Sequence, residues 1–402
     1  MKAGTLLNAK LKKLMIISAF LWMAANFHHP VTPSHFTALN MPNHIFGTSY
    51  AMMVFGSFLT APIWGSWGDG KSRIKVIFFS TLLYSIGQIG FAFSTSIWSI
   101  LFFRGVSGIA NGGYSGGLMA AIVDTTTEDN RSISMARYTT IMLISSSIGY
   151  LIGGLLGFLP PQKVILIQAL TMFLISLCFK FIVGETNYNL KKGLDNRVVF
   201  IWDILKDSKK SKEVFTSWMV VFLGLTFFIN LAFASNNNAF NYYLKEQLDF
   251  KPIVNGIWKT ITGIVGLIAN LTISVWILRR KDVRRSMLGL LLIASISGVM
   301  IILNPSIYQF MFWNLIFFTL ITMMVPILQN LAVQGGKTDV GLMSGIYNAI
   351  RALGEVVGSV VAGFSYNLSS MAPFGISTLA LIIAFVLGLS GKGKSEQGTT
   401  NN

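Results

Sequence analysis

Long apolar stretches alternate with short polar ones along the whole chain. Twelve of them reach membrane-crossing length: 14–34, 45–67, 74–94, 97–122, 135–159, 163–183, 214–238, 252–278, 286–303, 306–332, 340–365 and 372–390. About 20 mostly apolar residues suffice for a helix to cross the hydrocarbon, whereas open strands leave backbone groups unpaired in lipid. The pattern therefore predicts an all-α polytopic membrane protein. The ends of 214–238 and 306–332 are the hardest to place, because both contain Asn or Pro. The longest polar stretch separates six spans from six. It predicts an N-terminal six-helix bundle over 1–183, a cytoplasmic linker loop over 184–213, a C-terminal six-helix bundle over 214–391 and a cytoplasmic tail over 392–402.

Composition excludes a water-soluble globular protein. Of the 402 residues, 53% are hydrophobic and 11% charged, with a mean hydropathy of +0.63, against roughly 25% charged in soluble chains. A net charge of +16 would suggest nucleic acid in a soluble protein; its placement argues against that. With a cytoplasmic N-terminus, 25 of the 31 Lys and Arg fall on the cytoplasmic side, in loops or at the cytoplasmic ends of spans, three (Lys163, Lys245, Lys251) fall outside, and three (Arg104, Lys259, Arg351) lie deeper within spans. That asymmetry is the positive-inside rule, so both termini are expected inside, in a cell membrane whose anionic lipids the basic loops attract. The basic start precedes an apolar run, but no small-residue cleavage site follows it cleanly, and the first span is expected to be retained. Cys178 is the single cysteine; it excludes an intrachain disulfide and a cysteine-based metal site.

The two halves resemble each other. At an offset of 209, Leu39 faces Leu248, Gly47 faces Gly256, Trp67 faces Trp276, and Lys71 and Lys75 face Arg280 and Arg284. At an offset of 205, Ile-Gly-Tyr-Leu-Ile-Gly-Gly (148–154) faces Leu-Gly-Glu-Val-Val-Gly-Ser (353–359), which pairs Gly149 and Gly153 with Gly354 and Gly358.

Residues 65–75 read Gly-Ser-Trp-Gly-Asp-Gly-Lys-Ser-Arg-Ile-Lys between two spans, a polar turn that must sit at a membrane face. It resembles the loop between the second and third helices of major facilitator superfamily transporters, Gly-x-x-x-Asp-x-x-Gly-Arg-Lys in outline. Gly65, Asp69 and Arg73 match, while Gly70, Ser72 and Ile74 depart from the pattern. The resemblance implies two parallel six-helix halves with substrate held between them near mid-membrane, and a loop carboxylate, Asp69, that latches the halves in the outward-open state. Asp124 resembles a second member of that network, with Arg131 as its expected partner. Arg104, in Arg-Gly-Val-Ser-Gly-Ile-Ala-Asn-Gly-Gly, resembles the fourth-helix motif that the family connects with proton movement. Its glycines Gly105, Gly108, Gly112 and Gly116 share one face and admit a close neighbour. Ser145 to Gly154 resembles the fifth-helix motif of exporters. Gly149, Gly153 and Gly154 match it, whereas Tyr150 replaces the usual Pro.

Ionisable groups inside a span face a cavity or a partner and are functional candidates. Glu355 is the only carboxylate deep within a span. In an apolar cavity it can exchange a proton near neutral pH; alternatively Arg351, one turn earlier, neutralises it. Span one carries Asn26-Phe-His-His-Pro-Val-Thr-Pro33, where prolines interrupt the hydrogen-bond ladder. His28 or His29 can titrate near neutral pH, or can simply be satisfied by a carbonyl. Asn236, Asn237, Lys259, Arg351, Tyr150, Asn26 and His29 are the candidate cavity groups, and Glu355, Arg104 and His28 the candidate proton path. No metal site, cofactor or nucleotide loop is expected.

The expected function is secondary active transport, most like the drug:proton antiporter branch: proton-coupled export of amphipathic or cationic small molecules by a monomer. A permease or exporter of a defined metabolite such as a sugar, chelator or lipid precursor is the alternative, favoured by the three buried cations. A polytopic membrane enzyme is more remote, because no catalytic cluster of His, Asp and Glu is evident.

Overall fold

The computed structural model describes residues 2–186, 217–280, 282–303, 306–334 and 340–390, and among them there is no strand. The linker loop from 187 onward and the tail lie outside the described residues. In chain order the helices are α1 (Lys2–Ala25), α2 (Thr32–Ala38), α3 (Ile45–Gly70), α4 (Arg73–Phe93), α5 (Ile97–Asp124), α6 (Glu128–Leu155), α7 (Pro161–Cys178), α8 (Ser217–Glu246), α9 (Pro252–Ala269), α10 (Val283–Leu303), α11 (Ile307–Gln334), α12 (Val340–Ser365) and α13 (Ala372–Ser390). A wider π-turn, Phe179–Val183, extends α7, and another, Asn270–Ser274, carries α9 on to Leu278.

Nine of the described helices are long and apolar enough to cross a membrane: α3, α4, α6, α7, α8, α9 with its continuation, α10, α11 and α13. Three more, α1, α5 and α12, are as long but less apolar. These three hold the lysines near the N-terminus, Arg104, and the Arg351–Glu355 pair. Helices that carry such groups need protein or water around them.

Span one departs from a single helix. α1 stops at Ala25, and hydrogen-bonded turns follow, with Asn26 N donating to Met23 O and Val31 N to His28 O. Pro30 has no amide proton and its ring clashes with the carbonyl four residues back. Pro33 then sits in the first turn of α2, where proline is tolerated. The Asn-rich span seven shows the opposite outcome. α8 runs unbroken to Glu246, because Asn230 and Asn238 turn their amides back onto the carbonyls of Thr226 and Ala234, at 2.7 and 2.9 Å. Pro326 likewise lies inside a continuous α11.

The chain forms two compact units. In the first, which joins 2–186 to 241–264, α5 lies against both α3 and α4. Small residues allow it: a Cβ on Gly56 would come within 2.8 Å of Gly105 O, one on Gly112 within 2.7 Å of Ser57 O, and one on Gly108 would overlap the Met53 backbone. Gly116, on the same expected face, has open space before it. α1 packs on α6, where a Cβ on Gly149 or Gly153 would overlap the carbonyls of Met23 and Phe27. Leu14, Leu21, Ile77, Tyr84, Tyr114 and Met172 belong to the core these helices bury.

The second unit joins 217–240 to the described part of 265–390, and its own first helix makes the same contact. Gly354 and Gly358 of α12 face the carbonyls of Phe227 and Leu231 of α8. The spacing of the glycines is 205 in both cases and that of their partners 204, so the repeat read in the sequence corresponds to a repeated helix contact. Asn26 and Asn230, also 204 apart, each donate to the carbonyl four residues back, Trp22 O at 2.6 Å and Thr226 O at 2.7 Å.

Candidate functional site

The broken end of α1 organises the polar centre of the first unit. Where α1 stops, the Ala24 carbonyl keeps a turn bond from Phe27 N at 3.1 Å while that of Ala25 has no backbone donor from the turn, so both have room for side-chain donors in a membrane interior. Gln168 of α7 supplies them, with Nε2 at 3.0 and 2.9 Å. The same turn sets His28 beside Arg104 of α5: guanidinium Nη1 lies 2.9 Å from His28 Nε2. A guanidinium only donates, so Nε2 accepts, while Nδ1 lies 2.9 Å from the amide nitrogen of Gln168. His28 is thus a neutral ring that holds a buried arginine. Arg104 is 2% exposed, faces the Phe91 ring at 4.9 Å, and leaves Nε without a partner. Gln88 Nε2, 3.4 Å from Ser107 Oγ, closes the shell on the α4 side.

His29 stacks on His28 (ring centroids 4.0 Å) and faces Tyr150 of α6 at 5.5 Å. The charges of Arg104 and Lys259 both reach it. Lys259 arrives on α9, which lies tight against α6: Thr260 Oγ1 donates to Ser147 O at 2.9 Å, and the Cα of Gly256 lies against Gly154. Unlike His28 and Arg104, the side chains of His29, Tyr150 and Lys259 are only half-buried. Asn26, by contrast, is buried and spends its amide on Trp22 O.

The 65–75 turn forms a second cluster of the same unit. Arg73 pairs with Asp69 one turn before it and, through Nε at 3.0 Å, with Asp124 at the end of α5. The partner of Asp124 is therefore Arg73 and not the expected Arg131, which is exposed; Arg73 opens α4 where α5 ends, whereas Arg131 lies beyond the 125–127 turn. Gly65 faces open space, and Gly68 is the glycine that touches Arg73, with 3.0 Å from a built Cβ to Nη1. Glu185 was not singled out in the sequence. Its carboxylate accepts from Ser72 Oγ and from the amides of Arg73 (3.2 Å) and Thr186 (2.9 Å), while its carbonyl accepts from Lys10 at 2.8 Å. It caps the positive end of α4 and ties the start of the expected linker to that turn.

In the second unit Glu355 and Arg351 lie one turn apart on α12, with Nη1 to Oε1 at 3.4 Å. The carboxylate side chain is 13% exposed and the guanidinium 41%. At 3.4 Å the contact is longer than a close ion pair, and it engages Oε1 of the carboxylate. Tyr347 lies in the same electrostatic neighbourhood, and its buried hydroxyl has no hydrogen-bond partner. Behind them, Ser359 donates to Glu355 O at 2.6 Å and receives Asn238 Nδ2 at 3.0 Å. Asn236 is 1% exposed with neither amide atom bonded, and Asn237 is half-buried. The candidates thus gather in two groups, one per unit: Asn26, His28, His29, Arg104, Tyr150 and Lys259 in the first, and Asn236, Asn237, Arg351 and Glu355 in the second. Among the described residues no cluster of His, Cys, Asp and Glu is suited to a metal ion. Gln168 and Asn230 were legible in principle as lone amides inside apolar spans.

A model of the Major Facilitator Superfamily matches residues 14–359. Multidrug resistance protein 2 of Bacillus subtilis (strain 168) is 21% identical over 383 residues, covering 93% of this chain and 92% of that protein. The tetracycline resistance protein, class B, of Escherichia coli is 25% identical over 197 residues, 48% of each. Among solved structures, an inward-facing, occupied bacterial homolog to the human lysosomal transporter Spinster superposes with a TM-score of 0.78 over 95% of this chain and 96% of that one, at 12% identity. The nucleoside transporter NupG gives 0.71 over 95% and 98%, also at 12%; at such identities these likenesses establish the fold alone. The family match spans most of the chain, and the twelve long helices and the paired helix contacts agree with it: the chain belongs to the Major Facilitator Superfamily, whose members are membrane transporters and not enzymes.

Proposed function

We propose that this transporter is a proton-coupled exporter of amphipathic or cationic small molecules, working as a monomer in the cell membrane with both termini in the cytoplasm. In this reading the six-helix halves 1–183 and 214–391 rock about a central site, and the 184–213 segment joins them. The observation that carries the proposal is Glu355, a carboxylate in the middle of a membrane helix, largely buried and loosely held by Arg351 at 3.4 Å. Such a group can exchange its charge partner for a proton as the cavity changes sides. Relatives that carry the names multidrug and tetracycline resistance support export of foreign amphiphiles. Asp69, Arg73 and Asp124 serve as the latch that one state makes and the other breaks, with the glycine pairs as the close contacts between helices.

A second reading, export of a defined metabolite with an anionic group, is favoured by one observation. Two cations, Arg104 and Lys259, lie inside the first unit, while its described carboxylates stand at helix ends or in connections. A substrate screen separates the two: cells lacking and overexpressing the protein are challenged with unrelated amphiphiles, with and without an uncoupler. The proposal expects uncoupler-sensitive resistance to several compounds. Resistance that survives the uncoupler, or none at all, contradicts it.

A further inference from the structure

We infer that the first unit carries a docking site for a single anionic group, a carboxylate, sulfonate or phosphate on an apolar body, made by Lys259, His29 and Tyr150 with Arg104 behind them. The inference rests on the chain's being a small-molecule transporter and narrows the chemistry of its cargo.

Charge balance is the first argument. Every described acidic residue of this unit, Asp69, Asp124, Glu128, Asp129, Glu185, Glu246 and Asp249, lies at a helix end or in a connection. Arg104 lies about two turns inside α5 and Lys259 about two turns inside α9. The Arg104 side chain donates its only described hydrogen bond to the neutral His28 imidazole and forms no ion pair with a described carboxylate. A guanidinium so placed in a low-dielectric interior is costly, and an anion bound beside the cluster lowers that cost.

Access is the second argument. His28 and Arg104 are sealed, but His29, Tyr150 and Lys259 keep part of their surface open, so the outer members of the cluster are the ones a ligand can touch. They supply donors of three kinds: an ammonium, a phenol and an imidazole. Tyr150 stands where the exporter motif has proline, so the family pattern supplies no hydroxyl there.

The test is equilibrium binding to the purified full-length protein in zwitterionic nanodiscs, using naphthalene-1-sulfonate, naphthyl phosphate, naphthalene-1-methanol and a naphthyl-trimethylammonium salt, which share one ring system and differ in charge. The sulfonate and phosphate are expected to bind about tenfold or more tighter than the ammonium, and Lys259→Met to lose about tenfold of that affinity while Lys259→Arg keeps it. Tyr150→Phe, which removes only a hydroxyl, is expected to weaken the anions and spare the alcohol. Competition by added phosphatidylglycerol would identify a lipid head group as one source of the anion and equally supports the site. Ammonium binding as tight as sulfonate in the wild type overturns the inference, as does sulfonate binding that Lys259→Met leaves unchanged; the wild-type series decides even where a variant fails to fold. Export is read separately. Anion preference without uncoupler-sensitive export refutes the export reading and keeps the site, and export of cations without anion preference does the reverse.

Discussion

At the scale of single residues, His28 and Arg73 each hold more than one neighbour, and each makes a sharp prediction. His28→Ala leaves the Arg104 guanidinium, already lacking a partner at Nε, without its acceptor. A buried charged donor so stranded costs about 3 kcal/mol, read as a lower midpoint of thermal unfolding; His28→Gln, which keeps an acceptor, is expected to recover most of it. Equal destabilisation by both would mean that ring packing, and not the bond to Arg104, matters. Arg73→Lys preserves the charge but cannot fork between Asp69 and Asp124, so transport is expected to fall severalfold with the amount of folded protein unchanged. Glu185→Ala removes a cap from α4, worth about 1 kcal/mol, and wild-type stability in that variant would refute the role. The sequence exposed Arg104, Glu355 and Asp69, because a charge inside or beside an apolar run stands out. It hid Glu185, which sits in an unremarkable polar stretch and acquires meaning only when the chain returns to the 71–75 turn. It also paired Asp124 with Arg131 by nearness along the chain, whereas Arg73, 51 positions away, is the partner in space.

Among the helices, glycine spacing was the most legible signal and proline the least. Gly149 and Gly153 on α6, and Gly354 and Gly358 on α12, face the backbone carbonyls of the first helix of each unit. Alanine at any of the four is expected to destabilise by about 1–3 kcal/mol through overpacking. Gly65→Ala and Gly116→Ala, where nothing lies within 4 Å, are the contrast and should cost less than about 1 kcal/mol. Indistinguishable melting midpoints for the two sets would contradict the contact geometry. Sequence reading could not separate Gly116 from Gly112, because both satisfy the same spacing and only the neighbour's position distinguishes them. Prolines and asparagines misled for a different reason. Pro30 ends α1, but Pro62 and Pro326 lie inside continuous helices, and Asn230 and Asn238 of α8 return their amides to their own helix. Whether a helix breaks depends on what awaits the freed carbonyls, and here Gln168 awaits those of Ala24 and Ala25.

For the molecule as a whole, the class was readable from hydropathy alone, since a chain of alternating 20-residue apolar runs has few other ways to satisfy its backbone. The internal repeat was faint as sequence and becomes firm as geometry, because a near-constant offset relates the glycine contacts, and Asn26 to Asn230, in the two units. Departures from that symmetry mark the functional differences: the first unit encloses Arg104 and Lys259, the second Glu355. The proposed mechanism assigns differential binding of cargo and proton to these departures. The central claim, that Glu355 couples a proton to export, is tested most directly in everted vesicles energised to an acid interior, following accumulation of a substrate found by the screen. Wild-type vesicles are expected to accumulate it, to lose it when nigericin collapses the pH difference, and to slow as the outer medium is made acidic. Glu355→Gln is expected to abolish gradient-driven accumulation while leaving substrate binding and folded yield intact. Wild-type accumulation by Glu355→Gln with an unchanged pH profile, or accumulation in the wild type indifferent to nigericin, would contradict the account.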